Sequence, residues 1–229
     1  MNDYNLLQRM WQTLTEFSPM LWYGMQRTLF IGICAFIFGL MFGTIFGIIR
    51  TNPSDSIVSK FLKWLVAGYV LIVRGLPLLV QLLIWFWILL LPLGFSPVTI
   101  AIVAFTFDAA AYMSETIRGS INGIDKGQME AGRALGMTAY QTYGRVILPQ
   151  AFKNAIPQLG NELIGIVKGT SLVGFITVMD LRLAVEMIIV RNFDVMSGYL
   201  LMALIYLVIV YGLTMIIKFF EKVVFRHGG

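Results

Sequence analysis

The sequence predicts an all-α integral membrane protein: a single transmembrane domain over residues 1–229, with five spanning helices and a helix-turn-helix loop at about 118–154 on the cytoplasmic side. Three observations predict it. Hydrophobic residues make up 58% of the chain and charged residues only 13%, whereas a soluble domain is about half apolar and a quarter charged. Five apolar stretches each reach the roughly 20 residues a helix needs to cross hydrocarbon, where no water can satisfy the backbone. Finally, the long polar segment 118–154 carries helix caps and glycine stops in a compact order.

The elements follow in turn. Leu7, Met10, Trp11, Leu14 and Phe17 recur at helical spacing, which predicts an amphipathic helix at about 4–17 lying along the membrane interface. Residues 1–20 lack the basic-then-apolar pattern of a cleaved signal, so this segment reads as an anchor. The spans are expected at 21–49, 61–91, 98–117, 155–178 and 197–220. A polar link, 50–60, a tight turn, 91–97, and a charged link, 179–196, complete the layout. In the first span Gly39, Gly43 and Gly47 repeat every fourth residue, a small-residue face that lets a neighbouring helix or a partner approach closely. Gly75 and Pro77 interrupt the second span, and Pro157, Gly160, Gly165 and Gly169 loosen the fourth. Discontinuous helices at mid-membrane are where transporters place binding sites; a purely structural kink is the alternative.

Charge sets the orientation. The net charge of +5 is better explained by Lys and Arg gathering on the cytoplasmic side than by nucleic-acid binding. With the N-terminus outside, Arg50, Lys60, Lys63, Arg118, Lys126, Arg133, Arg145, Lys153, Lys218, Lys222 and Arg226 fall inside. Only Arg9, Arg27, Arg182 and Arg191 fall outside. The single cysteine, Cys34, lies in an apolar stretch and reads as packing, and His227 as a solvated tail residue. No metal spacing and no nucleophile–base constellation supports an enzyme within the membrane. No soluble domain is evident, so an ATPase or receptor would be a separate chain.

In the polar loop, Asp125 can cap a helix, with Gln128 placed to reach back as in a capping box. The helix would stop at Gly136, which tolerates a left-handed conformation. Thr138 and Gln141 form a second box, opening a helix that Pro149 bounds. Glu130-Ala131-Gly132, then Gly136, then nine residues, then Val146-Ile147-Leu148-Pro149 resemble the EAA loop, E-A-A-x3-G-x9-I-x-L-P, of bacterial ABC-importer permeases. Gly132 stands for the second Ala and Val146 for Ile. The resemblance implies a type I importer permease whose first loop helix is a coupling helix seated on an ATPase subunit. Residue matching assigns that contact to Glu130, Ala131, Gly132 and Gly136, with Arg133 beside them.

Further segments resemble the polar amino acid uptake permeases of the histidine, glutamine and arginine type. Arg74-Gly75-Leu76-Pro77-Leu78-Leu79-Val80-Gln81 resembles their R-G-T-P-L-L-V-Q. Ala111-Tyr112-Met113-Ser114-Glu115-Thr116-Ile117-Arg118 resembles A-Y-x-x-E-x-x-R, and Lys168-Gly169-Thr170-Ser171-Leu172 resembles K-[D/E]-T-S-L, with Gly169 in place of the acid. This implies a subunit in the bacterial cytoplasmic (inner) membrane that receives a polar amino acid from a soluble binding protein. A second permease, identical or homologous, and two ATPase copies would complete the assembly. ATP and Mg would be bound by the ATPase, leaving this chain without a cofactor.

The charges inside the spans point to the substrate. Arg74, Asp108, Glu162 and Lys168 each cost about 2.5–3.5 kcal/mol in the membrane unless paired or facing a polar cavity. A zwitterionic amino acid needs both signs. Asn161, Gly165, Lys168 and Leu172 share one helix face, so Asn161 and Lys168 could line one pathway, while Glu162, about 100° round, could face a neighbour. Arg74, Asp108, Asn161, Glu162 and Lys168 are therefore the candidate substrate residues. The alternatives are an internal ion-pair network that only locks helices, a permease for another small solute, or a secondary transporter coupling ions through Asp108 and Glu162.

Overall fold

A computed structural model describes residues 5–226. These residues are helical throughout apart from short links, and no strand occurs among them. Four of the described helices are long and apolar enough to cross a membrane, and a pair bent by 105° makes a fifth if its two halves form one span. His227 and residue 4 lie outside the described residues.

Helix α1, Leu6–Glu16, opens on Asn5, whose side chain and that of Gln8 cap each other's backbone as a box. Its inner face buries Met10 and Thr13, while Leu7 and Trp11 stay exposed, as an interfacial helix requires. Arg9 pairs with Asp194 at 3.2 Å. That contact ties α1 to the start of the last helix, where Asp194 also caps Ser197.

Helix α2, Ser18–Thr51, supplies the first crossing. Its glycine face meets a helix of the same chain, α5, Pro97–Asn122. A methyl group added at Gly39, Gly43 or Gly47 would come within 2.7 Å of Ala109, 2.6 Å of Met113 and 2.7 Å of Ile117, Cβ to Cβ. Only glycine permits that approach. The main core lies along this seam, with Ile31, Ala35, Phe105 and Met113 fully enclosed.

The second crossing is not one rod over 61–91. Helix α3, Ile57–Gly75, and the run that begins with α4, Leu78–Ile84, are bent 105° apart. Proline explains the break: it has no N–H and drives the residue before it out of the helical region. Leu76 accordingly takes the extended values φ −106°, ψ 138°. The run continues through a π-helical segment, Trp85–Leu90, and a 3-10 turn, Leu91–Leu93, to Gly94 in the left-handed region at φ 82°. Ser96 then caps α5.

In the loop, α6, Lys126–Ala134, and α7, Ala139–Thr142, form two short arms. Helix α8, Leu148–Gly169, is continuous through Pro157 and passes into a 3-10 segment, Thr170–Ile176. The loosening expected of the fourth span thus appears only at its C-terminal end. The region 179–196, expected as a charged link, is instead mostly a packed helix: α9, Leu181–Asn192, buries Leu181, Ala184, Val185 and Ile188. Arg182 and Glu186 pair one turn apart along it, so its charges satisfy each other. Asp180 caps this helix, accepting from the Leu183 N–H at 2.9 Å. Burial pushes the Asp180 carboxyl up from 3.8 to about 6. Helix α10, Val195–Arg226, provides the last crossing. Cys34 is a free, half-buried thiol in α2.

Candidate functional site

The break between α3 and α4 opens one side of a cavity of about 450 Å³. Residues 74–78 form that side. Phe105, Asp108, Ala109 and Tyr112 of α5 form the second, and Glu162, Gly165 and Ile166 of α8 the third. The fold thereby brings Arg74, Asp108 and Glu162 to one space from three separate elements. Asn161 and Lys168 do not join them: both are exposed, outside the lining. Of the face expected on α8, Gly165 lines the cavity while Asn161 and Lys168 do not. Ala155 and Leu159 are buried, and continuing their stripe by helical spacing reaches Glu162 and Ile166.

A residue that sequence reasoning passed over organises the break. Gln81 is only 4% exposed. The two N–H bonds of its side-chain amide are shared among three acceptors: the Val73 carbonyl at 2.9 Å, the Leu76 carbonyl at 3.1 Å and Asp108 Oδ1 at 3.0 Å. The bend leaves the Val73 carbonyl with one long backbone bond, from the Leu76 N–H at 3.3 Å, and the Leu76 carbonyl with no helical one; in lipid an unpartnered carbonyl costs several kcal/mol. Gln81 replaces the lost partners and fixes Asp108 at the same time. Its place at the end of the R-G-L-P-L-L-V-Q segment was the available signal.

Arg74 stands between two spaces. Its guanidinium lies over the Tyr112 ring, 5.1 Å from the centroid, and 3.9 Å from Glu115 Oε2. Glu115 is held more closely by Arg50 and by Arg118, the latter at 2.7 Å. This cluster borders a second cavity of about 540 Å³, lined by Arg50, Val70, Arg74, Tyr112 and Glu115 among others. Glu115 and Arg118 belong to the A-Y-x-x-E-x-x-R segment, but their role as a junction of α2, α3 and α5 was not legible there.

The elbow forms as its caps predict, with three differences. Asp125 accepts from the Gly127 N–H at 2.7 Å, but the Gln128 side chain accepts from Gln150 at 3.4 Å rather than completing a box. At the other end Gly136 sits at φ 82°, with Gly136 N–H bonded to the Arg133 carbonyl and Met137 N–H to that of Gly132, the paired closure of a glycine-ended helix. Thr138 and Gln141 form the second box. The second difference is that Pro149 ends nothing. A π-helical segment, Tyr143–Ile147, carries α7 directly into α8, and Pro149 sits in the first turn of α8, where its missing N–H is harmless.

The third difference concerns Gly132. Glu130, Ala131, Arg133 and Gly136 are exposed, but Gly132 is buried against Thr142. A methyl group there would lie 2.6 Å from Thr142 Oγ1 and 3.0 Å from its Cβ. Gly132 therefore closes the elbow on itself instead of receiving a partner. Leu135, 83% exposed, is the large apolar side chain the outer surface does offer. Among the described residues no group of three or more His, Cys, Asp or Glu is placed to hold a metal ion.

Residues 39–226 match the family of binding-protein-dependent transport system inner membrane components. The L-cystine transport system permease protein TcyB of Bacillus subtilis is 38% identical over 93% of this chain and 89% of its own length. The putative glutamine transport system permease protein GlnP of Rickettsia conorii is 32% identical over 93% of this chain and 98% of its own. Among solved structures, one described as an amino acid ABC transporter with histidines superposes with a TM-score of 0.84 at 31% identity, covering 97% of this chain and 99% of that one.

Proposed function

The chain belongs to the binding-protein-dependent transport system inner membrane components, and from that premise we propose that it is the membrane permease of an ATP-driven importer for a polar amino acid. The observation that carries this reading is the cavity in which Arg74, Asp108 and Glu162 converge on a broken span. One guanidinium can hold a carboxylate and one acid an ammonium, which are the two groups every amino acid presents. The elbow below it offers Glu130, Ala131, Arg133, Leu135 and Gly136 to a separate ATPase, which would bind ATP and Mg. The relatives named for cystine and glutamine transport agree with an amino acid as cargo. In this reading the N-terminus lies outside and the C-terminus inside a bacterial cytoplasmic membrane. A soluble binding protein delivers the substrate, a second permease copy or homologue faces this one, and two ATPases drive the cycle.

The test is ATP-driven uptake by the complex purified intact from its host and reconstituted in vesicles. Amino acid uptake that requires ATP inside, and that disappears in Glu130→Lys while the chain still inserts, is the expected result. Uptake that survives ATP depletion but not loss of the ion gradient would replace this reading with ion coupling.

A further inference from the structure

We propose that this cavity selects an amino acid whose side chain carries a second positive charge, an inference that rests on the importer reading above. Its lining holds two carboxylates, Asp108 and Glu162, against one guanidinium, Arg74. An amino acid's own carboxylate and ammonium match Arg74 and one of the acids. One wall carboxylate is then left without a counter-charge, and an unpaired carboxylate within a membrane span is costly. A cation on the side chain of the ligand completes the set.

The protein does not supply that cation itself. Asp108 takes its hydrogen bond from the neutral amide of Gln81 at 3.0 Å, and Glu162 from the neutral amide of Gln158 at 3.2 Å. Neither acid belongs to any of the ion pairs formed among the described residues, which join Arg9 to Asp194, Arg182 to Glu186, and three arginines to Glu115. An ion-pair network that merely locks helices would have consumed these two carboxylates. Arg74, in turn, is drawn outward by Glu115 and the Tyr112 ring, and Lys168 is exposed beyond the lining. The remaining wall, with Leu76, Leu78, Phe105 and Ile166, suits the aliphatic stem of a lysine-like side chain. A volume of about 450 Å³ lies within the range of small-molecule pockets.

The test is equilibrium binding of radiolabelled lysine to the intact complex with its ATPase, the soluble binding protein left out. Unlabelled lysine and arginine should displace the label at least about tenfold more effectively than glutamine, glutamate or cystine, a gap of about 1.4 kcal/mol. Asp108→Asn keeps an acceptor for Gln81 and should narrow that preference about tenfold, as should Glu162→Gln. Lysine that does not bind, glutamine or cystine that competes equally, or a preference unchanged in both variants overturns the inference. In those cases ATP-driven uptake of glutamine or cystine by the same vesicles leaves the importer reading standing. Vesicles that take up no amino acid with ATP overturn both.

Discussion

The hydroxyls of Thr51 and Tyr143 lie 2.6 Å apart. One closes the C-terminal end of α2, and the other begins the π-helical turn that joins the elbow to α8. This bond, the Arg50–Glu115 pair one residue earlier and the Glu115–Arg74 contact at 3.9 Å place the elbow three contacts away from Arg74. Movement of the elbow therefore has a short physical route to the cavity wall.

Tyr143→Phe removes that bond and keeps the ring in the core. We expect a stability loss of about 1 kcal/mol, the usual net worth of one hydrogen bond. ATPase docking should persist, and transport per ATP hydrolysed should fall. Equal coupling ratios for variant and parent would show that the route runs elsewhere.

Gly132→Ala, although alanine is the usual residue of the resembled motif, should destabilise this chain by about 1–3 kcal/mol, as overpacking does. The double variant Gly132→Ala/Thr142→Ala should recover most of that loss, because Thr142 supplies the atoms a new methyl group would meet. Thermal melting of the three proteins measures it. Additive losses would contradict the packing described.

Gln81→Leu should lower stability by about 1–3 kcal/mol, the cost of stranding buried acceptors. Substrate binding should weaken too, since Asp108 loses its anchor. A variant that melts like the parent would mean the two carbonyls at the break find other partners.

Asp180 gives a pH dependence. A carboxyl whose folded pKa is raised binds its proton more tightly when folded, so its ionised form opposes folding. The shift from 3.8 to about 6 corresponds to about 3 kcal/mol at most. Stability should rise as pH falls from 7.5 to 5 and be lost again as pH climbs through 6. Asp180→Asn keeps a carbonyl oxygen to accept from Leu183 and should flatten that part of the slope. A melting profile identical to the parent's from pH 5 to 7.5 would remove Asp180 as the source.

Much of this was readable in the chain. The helix caps at Thr138 and Gly136, the pre-proline break at Leu76 and the glycine face of α2 all follow from local chemistry, so they appear where they were expected. Segment 179–196 misled through its charges, although Leu181, Ala184, Val185 and Ile188 keep an i, i+3, i+4, i+7 spacing that announces a packed face. Glu162 was read as a substrate candidate that could instead face a neighbour, for a similar reason. The polar residues of α8 were grouped with one another, when the apolar stripe through Ala155 and Leu159 decides which side faces in. Gln81, Glu115 and Thr51 each also reach a partner 27 to 92 residues away, Asp108, Arg50 and Tyr143, a distance at which no local pattern carries information.

The glycine seam of α2 has a mechanical consequence. With no side chain on α2 at Gly39, Gly43 and Gly47, its backbone lies directly against Ala109, Met113 and Ile117 of α5, and sliding or twisting one helix against the other would drive those side chains into backbone. They behave as a single stiff beam. The 105° corner between α3 and α4, pinned by Gln81, lies outside that beam.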